Sequence, residues 1–113
     1  MIVKGAQVDL FAVQRRSRSR EDVVDGCVVL RGFVDDEDAV VAAVAGVVAA
    51  APLRRMTTPS GTMSVAMTNC GARGWTADER GYAYTTTDPT TTAPWPPLPP
   101  TLSALATAAA QEA

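Results

Sequence analysis

The chain has 113 residues, 47% of them hydrophobic, which is enough for one small core and too short for two ordinary domains. Its net charge of −2 and pI of about 4.9 exclude the diffuse basic field of strong non-specific nucleic-acid binders, so any nucleic-acid site must be local. The sequence contains no histidine, which excludes a histidine general base and the two-histidine, one-carboxylate site of non-haem iron.

The N-terminal residues 1–22 contain a short apolar patch, residues 8–13, followed by QRRSRSRED. The four arginines alternate with polar residues and show neither a helix nor a strand period, so a flexible surface segment is predicted. A phosphate-contacting arm is the alternative. The acidic residues that follow directly favour a solvated linker.

Two elements are predicted between residues 27 and 52. The run CVVLRGF follows an Asp-Gly turn signal and predicts a strand. A helix is predicted next, with Asp35 as its N-cap and Pro52 as its end. Its stripe of valines must hold it in place by packing, since valine is a mediocre helix former: Val40, Val41, Val44, Val47 and Val48.

Residues 63–68 and 82–85 predict two further strands. Between them, residues 69–81 predict a glycine-flexed loop with Trp75 in its middle, so the strands are expected to form a long-looped antiparallel pair. The tryptophan, two methionines on one strand face and two tyrosines suit a flat ring. The alternative is that the Met63, Val65 and Met67 face is core, covered by the tryptophan.

The C-terminal part begins with a threonine-rich connection and PWPPLPP, which must be extended because each proline fixes its own φ and restrains its predecessor. A helix is expected from Thr101 or Ser103 to the chain end. The proline-rich segment could dock in the aromatic groove of a partner, although a stiff connector is the simpler interpretation. Without a CxxC pattern, signal peptide or long apolar run, a cytoplasmic monomer with no membrane segment is expected.

The segment PLRRMTTPSGTMSVAMTNCGARGWTADERGYAY, followed by DPTTTAPWPPLPPTL, resembles the N-terminal half of AlkB-type dioxygenases. The resemblance extends to DLFA at residues 9–12 and VVLRGF at residues 28–33. It implies an α+β fold: the N-terminal helix, strands and nucleotide-recognition lid of a double-stranded β-helix (jelly-roll) dioxygenase, truncated before the catalytic core. Residues 23–113 would then be an incomplete, lid-bearing domain.

As the resemblance implies, that family removes alkyl groups from 1-methyladenine and 3-methylcytosine by hydroxylation dependent on Fe(II) and 2-oxoglutarate. The base is flipped out of the stack and gripped by the lid. The expected partners are alkylated single- or double-stranded DNA, with RNA as a further candidate. This chain alone is expected to be non-catalytic and to bind neither cofactor, because the family's HxD…H ligands and two arginines belong to the part beyond Ala113.

Carried over position by position, Trp75 is expected to stack on the lesion base and Tyr82 to reach towards its backbone. The remaining lid or pocket positions are Met56, Thr58, Met63 and Met67. Both methylated bases carry positive charge, and a cation over an indole face gains roughly 0.5–2 kcal/mol. Asn69 and Cys70 also match the family and are expected to be turn and packing residues.

Two departures from the family pattern lie in the lid. Residues 58–64 read TPSGTMS where the family commonly reads TPGGYTMS, so an aromatic residue is missing, and Ala72 stands where a histidine can follow Cys-Gly. Arg73 and Arg80 could meet phosphates or be merely solvated. The alternative function is a non-catalytic protein, derived from the family, that binds single-stranded or alkylated nucleic acid.

Overall fold

The computed structural model describes residues 17–113, so the apolar patch at residues 8–13 and the DLFA match lie outside the described residues. Within the described residues, six strands pair as three antiparallel hairpins, β1–β2, β3–β4 and β5–β6, accompanied by two helices. The α+β content agrees with the prediction, whereas the jelly-roll core and the lid stay predictions. In chain order the elements are β1 (Ser19–Val24), β2 (Cys27–Arg31), α1 (Glu37–Ala50), β3 (Arg54–Thr58), β4 (Gly61–Met67), β5 (Gly74–Asp78), β6 (Gly81–Thr85) and α2 (Pro100–Glu112).

The chain divides into two compact units. The larger one, Asp38–Ser103, has a buried apolar core. The described residues of the smaller one, 17–37 with Ala104–Ala113, include no buried side chain. The apolar core of the larger unit consists of Val47, Ala51, Met56, Ala77 and Trp95.

The β1–β2 hairpin of the smaller unit corrects the prediction of an irregular arginine-rich segment. β1 starts at Ser19, so residues 19–22 are strand, and the boundary predicted at residue 22 falls inside it. Glu21 accepts a hydrogen bond from Arg31 at 2.7 Å, but both side chains are more than half exposed, and such pairs stabilise little. β1 forms because its backbone pairs with the apolar strand β2. The charged side chains of β1 do not indicate that partner.

Helix α1 agrees with the predicted valine-stripe helix but not with its predicted cap. Asp35 instead accepts hydrogen bonds from Arg18 through both carboxylate oxygens, at 2.8 and 2.9 Å. The helix begins at Glu37, so Asp36 occupies the position before the first helical residue. Val47 is the buried residue of the stripe and Val40 and Val48 are half-buried, whereas Val41 and Val44 are exposed, so only part of the stripe packs.

The larger unit contains two tight hairpins, so the prediction that the strands at residues 63–68 and 82–85 pair with each other is wrong. β4 pairs with β3, and β6 pairs with β5. Each hairpin closes through two residues followed by a glycine of positive φ, 133° at Gly61 and 127° at Gly81. Closing these short turns costs less chain entropy than closing a loop of residues 69–81.

The proline-rich segment forms no helix before Pro100, as predicted, and α2 begins at that proline. Proline suits the first helical position because its missing N–H would have no partner there. The Pro99 carbonyl accepts hydrogen bonds from the N–H groups of Leu102 and Ser103, at 3.0 and 3.1 Å. Trp95 is only 5% exposed, which favours the stiff connector over docking to a partner. Within residues 17–113, neither helix is long and apolar enough to cross a membrane.

Candidate nucleic-acid interface

Three aromatic side chains share one face of the β5–β6 hairpin. Trp75 lies opposite Tyr84, and Ala77 lies opposite Tyr82. Because opposite residues project from the same face and alternate residues of a strand share a face, the three rings project together. The ring centroids of Trp75 and Tyr82 are 5.3 Å apart, with their planes tilted by 40°. The structure thus brings together the two residues predicted to contact the lesion nucleotide.

This aromatic face, formed by Trp75, Tyr82 and Tyr84, is open to solvent at its tyrosines. Tyr82 is 71% and Tyr84 is 69% exposed, while Trp75 is half-buried. Trp75 belongs to β5, so the prediction that it sits in a flexible loop is wrong. Strand pairing therefore gives the indole a defined direction, and the face offers flat, polarisable surface on which another ring can stack.

The backbone around Trp75 is held by a side-chain hydrogen-bond pair and by packing. The Asn69 amide accepts a hydrogen bond from the Trp75 N–H at 3.1 Å and donates one to the Trp75 carbonyl at 2.9 Å. Gly74 is buried against the indole of Trp95. That indole Nε1–H donates to the Thr85 carbonyl at 3.0 Å, so Trp95 is itself fixed to the last residue of β6.

Substitution of Gly74 by alanine is expected to destabilise the chain. A Cβ there would overlap Cε2 of Trp95 and lie 2.8 Å from Cβ of Asn69. Neither neighbour is the free end of a flexible side chain, so overpacking of about 1–3 kcal/mol is expected in urea unfolding followed by circular dichroism. Gly46→Ala is the matched control, because a Cβ at that helical position meets nothing within 4 Å. Equal stability of Gly74→Ala and the wild type would contradict the packing argument.

The other four predicted residues lie on the β3–β4 hairpin. Met56 is 1% exposed and belongs to the core. The Thr58 hydroxyl donates to the Gly61 carbonyl at 2.9 Å and therefore fixes the turn. Met63 and Met67 are half-buried on β4. The roles of all six predicted residues in binding stay predictions.

The methionine face of β4 is not the core that the alternative interpretation expected. Val65, between the two half-buried methionines, is 55% exposed. The register shifts between Arg55 and Thr57, whose partners are Ala66 and Thr62, so β4 is irregular where the methionine alternation lies. An irregular strand does not keep one continuous face. The methionine that is buried in the core is instead Met56 on β3.

One residue was missed when the site was predicted from sequence, and another was counted in the aromatic surface without an assigned contact. The latter is Tyr84, which shares the aromatic face as the Tyr-Ala-Tyr alternation in β6 indicates. Trp95 supports Gly74 from the proline-rich segment, and no local pattern indicates that contact. Asn69, expected to be a turn residue, makes the two hydrogen bonds to Trp75 described above.

The two loop arginines remain open as phosphate contacts. Arg73 is exposed. The Arg80 side chain is 93% exposed and lies 3.4 Å from the Asp78 carboxylate, while its backbone N–H donates to the same carboxylate at 2.8 Å. An exposed pair of this kind contributes little stability, so Arg80 can leave Asp78 for a phosphate at small cost.

Comparison with known proteins decides the family. Residues 26–113 match the model of the 2OG-Fe(II) oxygenase superfamily. The chain belongs to this superfamily. It is 47% identical, over 94 residues, to the alpha-ketoglutarate-dependent dioxygenase AlkB of Salmonella typhimurium, and 43% identical over 94 residues to that of Escherichia coli K12. Either alignment covers 81% of this chain and 43% of the relative.

A third relative has the same character. The alpha-ketoglutarate-dependent dioxygenase AlkB homolog of Caulobacter vibrioides is 45% identical over 83 residues, covering 71% of this chain and 38% of that protein. The AlkB resemblance carried by the TMSVAMTNCG block is therefore confirmed. The chain spans less than half the length of the relatives that it matches.

The iron and 2-oxoglutarate implied by the superfamily are cofactors of its complete proteins. The residues of this chain do not fit an iron site. The sequence has no histidine, and residues 17–113 contain no cluster of three or more histidine, cysteine or acidic side chains that could hold a metal ion. No chemical step through iron is therefore assigned to these residues. What this arrangement offers chemically is an aromatic surface for binding.

Proposed function

We propose that this chain is the substrate-recognition part of an AlkB-like dioxygenase that repairs alkylated bases in DNA or RNA. The observation that carries the proposal is the Trp75–Tyr82 ring pair, 5.3 Å between centroids, on a solvent-open hairpin face. A flipped base stacks on the indole, and Tyr82 lies beside it towards the nucleotide backbone. Extrusion of the base is easiest where pairing is already lost, as at an alkylated Watson–Crick edge.

The substrate class follows from charge. 1-Methyladenine and 3-methylcytosine are cations, and a cation over an indole face gains about 0.5–2 kcal/mol. Undamaged neutral bases gain less. The net charge of −2 gives this chain no general attraction for phosphates, so selectivity for damaged bases comes from the aromatic face.

The β3–β4 hairpin supplies further residues to the proposed binding site. Met63 and Met67 are adaptable side chains that are half-buried, so part of each remains available to a ligand. Thr58 acts by holding its turn, and Met56 acts by packing in the core rather than by direct contact. Arg80 meets a phosphate next to the flipped nucleotide.

The complete protein would hold Fe(II) and 2-oxoglutarate, which together with dioxygen would supply the oxidation that hydroxylates the alkyl group. This chain alone binds neither cofactor and is not catalytic, since its donor set does not fit the metal. We place it in the cytoplasm as a monomer. The partner is alkylated single- or double-stranded DNA, with RNA as an alternative polymer.

A second candidate function is a stand-alone binder of single-stranded or alkylated nucleic acid. The aromatic face favours it, because stacking requires no metal and every base has a flat surface. The two candidates share the binding step and differ in whether oxidation follows.

Binding of methylated oligonucleotides tests the shared step. The 113-residue chain is titrated against fluorescent single strands that differ only in one base: 1-methyladenine, adenine or the neutral isomer N6-methyladenine. A preference of roughly 2- to 30-fold for 1-methyladenine over both others is expected from the cation–indole energy. The neutral isomer controls for the methyl group itself. Equal affinity for all three strands would reject the proposal.

A further inference from the structure

The Asn69 side chain occupies the place of a neighbouring strand along β5. It bonds both backbone groups of Trp75, at 3.1 and 2.9 Å, and both bonds are partly buried. In an antiparallel ladder, a residue that gives its N–H and carbonyl to an outside partner is not hydrogen-bonded to the residue opposite, which here is Tyr84. Side chains lie closest in pairs of that type. Asn69 therefore closes the edge of β5 away from β6, at the residue whose ring lies against Tyr82.

The segment that carries Asn69 is itself anchored within the larger unit. The Thr68 hydroxyl, one residue before, donates to the Ala51 carbonyl at 2.6 Å. The Gly71 N–H, two residues after, donates to the Pro96 carbonyl at 2.8 Å. Ala51 is 1% exposed, so the first anchor reaches the core. The amide of Asn69 is consequently a fixed point against which Trp75 is held.

We propose that Asn69 is the positioning residue for base recognition by Trp75, an inference that rests on the proposed function. A side-chain amide has both a donor and an acceptor, so it can bond the carbonyl and the N–H of one residue at the same time. An ionised carboxylate has no donor, and an aliphatic side chain has neither group. Holding both groups of Trp75 fixes the direction of the indole before the base arrives. A ring that is already ordered loses less freedom on binding.

The test compares Asn69→Ala with Asn69→Asp and with the matched control Thr68→Val, each in the 113-residue chain. Asn69→Ala removes both bonds to Trp75, whereas Asn69→Asp keeps the acceptor for its N–H. Thr68→Val removes one neighbouring anchor that does not touch Trp75. Affinities are measured for the 1-methyladenine and adenine strands, and the readout is their ratio.

Asn69→Ala is expected to remove most of the roughly 2- to 30-fold preference and bring the ratio towards one, because the indole is no longer held in its direction before the base arrives. Asn69→Asp should fall between it and the wild type, and Thr68→Val, which keeps both bonds from Asn69 to Trp75, should lower the ratio less than Asn69→Ala. An unchanged ratio in Asn69→Ala would overturn the inference. An equal fall of the affinity ratio in Asn69→Ala and Thr68→Val would also overturn it, because general destabilisation would produce that pattern.

A second measurement separates this inference from the proposed function. In protein labelled with 5-fluorotryptophan, Trp75 and Trp95 give two ¹⁹F signals, which Trp95→Phe assigns. Asn69→Ala is expected to shift or broaden the Trp75 signal and to leave the Trp95 signal in place. If the wild type shows no preference for 1-methyladenine, the proposed function fails. The fluorine signals still decide the positioning: a selective change at Trp75 supports it, and no change overturns it.

Discussion

Replacement of Trp75 by alanine is expected to abolish most of the preference for 1-methyladenine. Loss of one base–aromatic stack costs about 1–3 kcal/mol, which corresponds to roughly 5- to 150-fold in affinity for the methylated strand. The indole is the centre of the aromatic face, with Tyr84 opposite it and the Tyr82 ring centroid 5.3 Å away. Truncating it leaves the two exposed tyrosines without the indole on the neighbouring strand. Fluorescence anisotropy with the methylated and unmethylated strands measures the change.

Trp75→Phe is the matched variant for this experiment. Phenylalanine keeps a flat ring for stacking but has a weaker cation-binding face than indole. It should retain affinity for the adenine strand and lose part of the methylated preference. Because Trp75 is half-buried rather than core, circular dichroism should show both variants folded. A folded Trp75→Ala protein with the wild-type preference would exclude stacking on this residue as the basis of recognition.

Replacement of Trp95 by alanine is expected to have the largest effect on stability. The side chain is 5% exposed, and large-to-small substitutions of buried tryptophan cost about 3–5 kcal/mol. Few other large side chains are buried in this unit, since valine and alanine supply much of the described core. A loss of that size is a large fraction of the free energy of unfolding of a small domain. Urea unfolding monitored by circular dichroism measures it.

Two variants make this result specific. Trp95→Phe keeps most of the packing but removes the indole donor to the Thr85 carbonyl, so a loss of about 1 kcal/mol is expected. Leu98→Ala truncates a 50% exposed side chain of the same proline-rich segment, and a change of about 0.5 kcal/mol is expected. If Trp95→Ala and Leu98→Ala were equally stable, Trp95 would not be the anchor of this segment.

Local patterns predicted the elements better than their partners. The valine stripe, the β2 run, the alternation of β4 and the proline before α2 each indicated the correct element type within a few residues. β1, β3 and β5 were not predicted as strands. β1 carries charged side chains, and β5 was interpreted as a loop because two glycines flank it. Strand formation in these segments depends on pairing with another segment, which intrinsic propensity describes poorly.

The candidate site was predicted in its residue types and only partly in its geometry. Trp75 and Tyr82 were selected from the resemblance, and the structure shows their rings in contact. Met56 was selected in the same way but is buried, because a methionine string does not reveal which member faces the core. The position of Trp95 against Gly74 joins residues twenty-one positions apart, so no local signal announces it.

The sequence by itself determined the family, through the TMSVAMTNCG block, and the misfit with an iron site, through the complete absence of histidine. It also determined where most regular elements lie, because side-chain periodicity acts on neighbouring residues. Only the tertiary structure decided that β5 pairs with β6, that Trp95 lies under Gly74, and that Asn69 closes the edge beside Trp75. Each of these outcomes depends on which residues, far apart in sequence, pair their hydrogen-bonding groups and pack together. Those pairings are set by the packing of the whole unit.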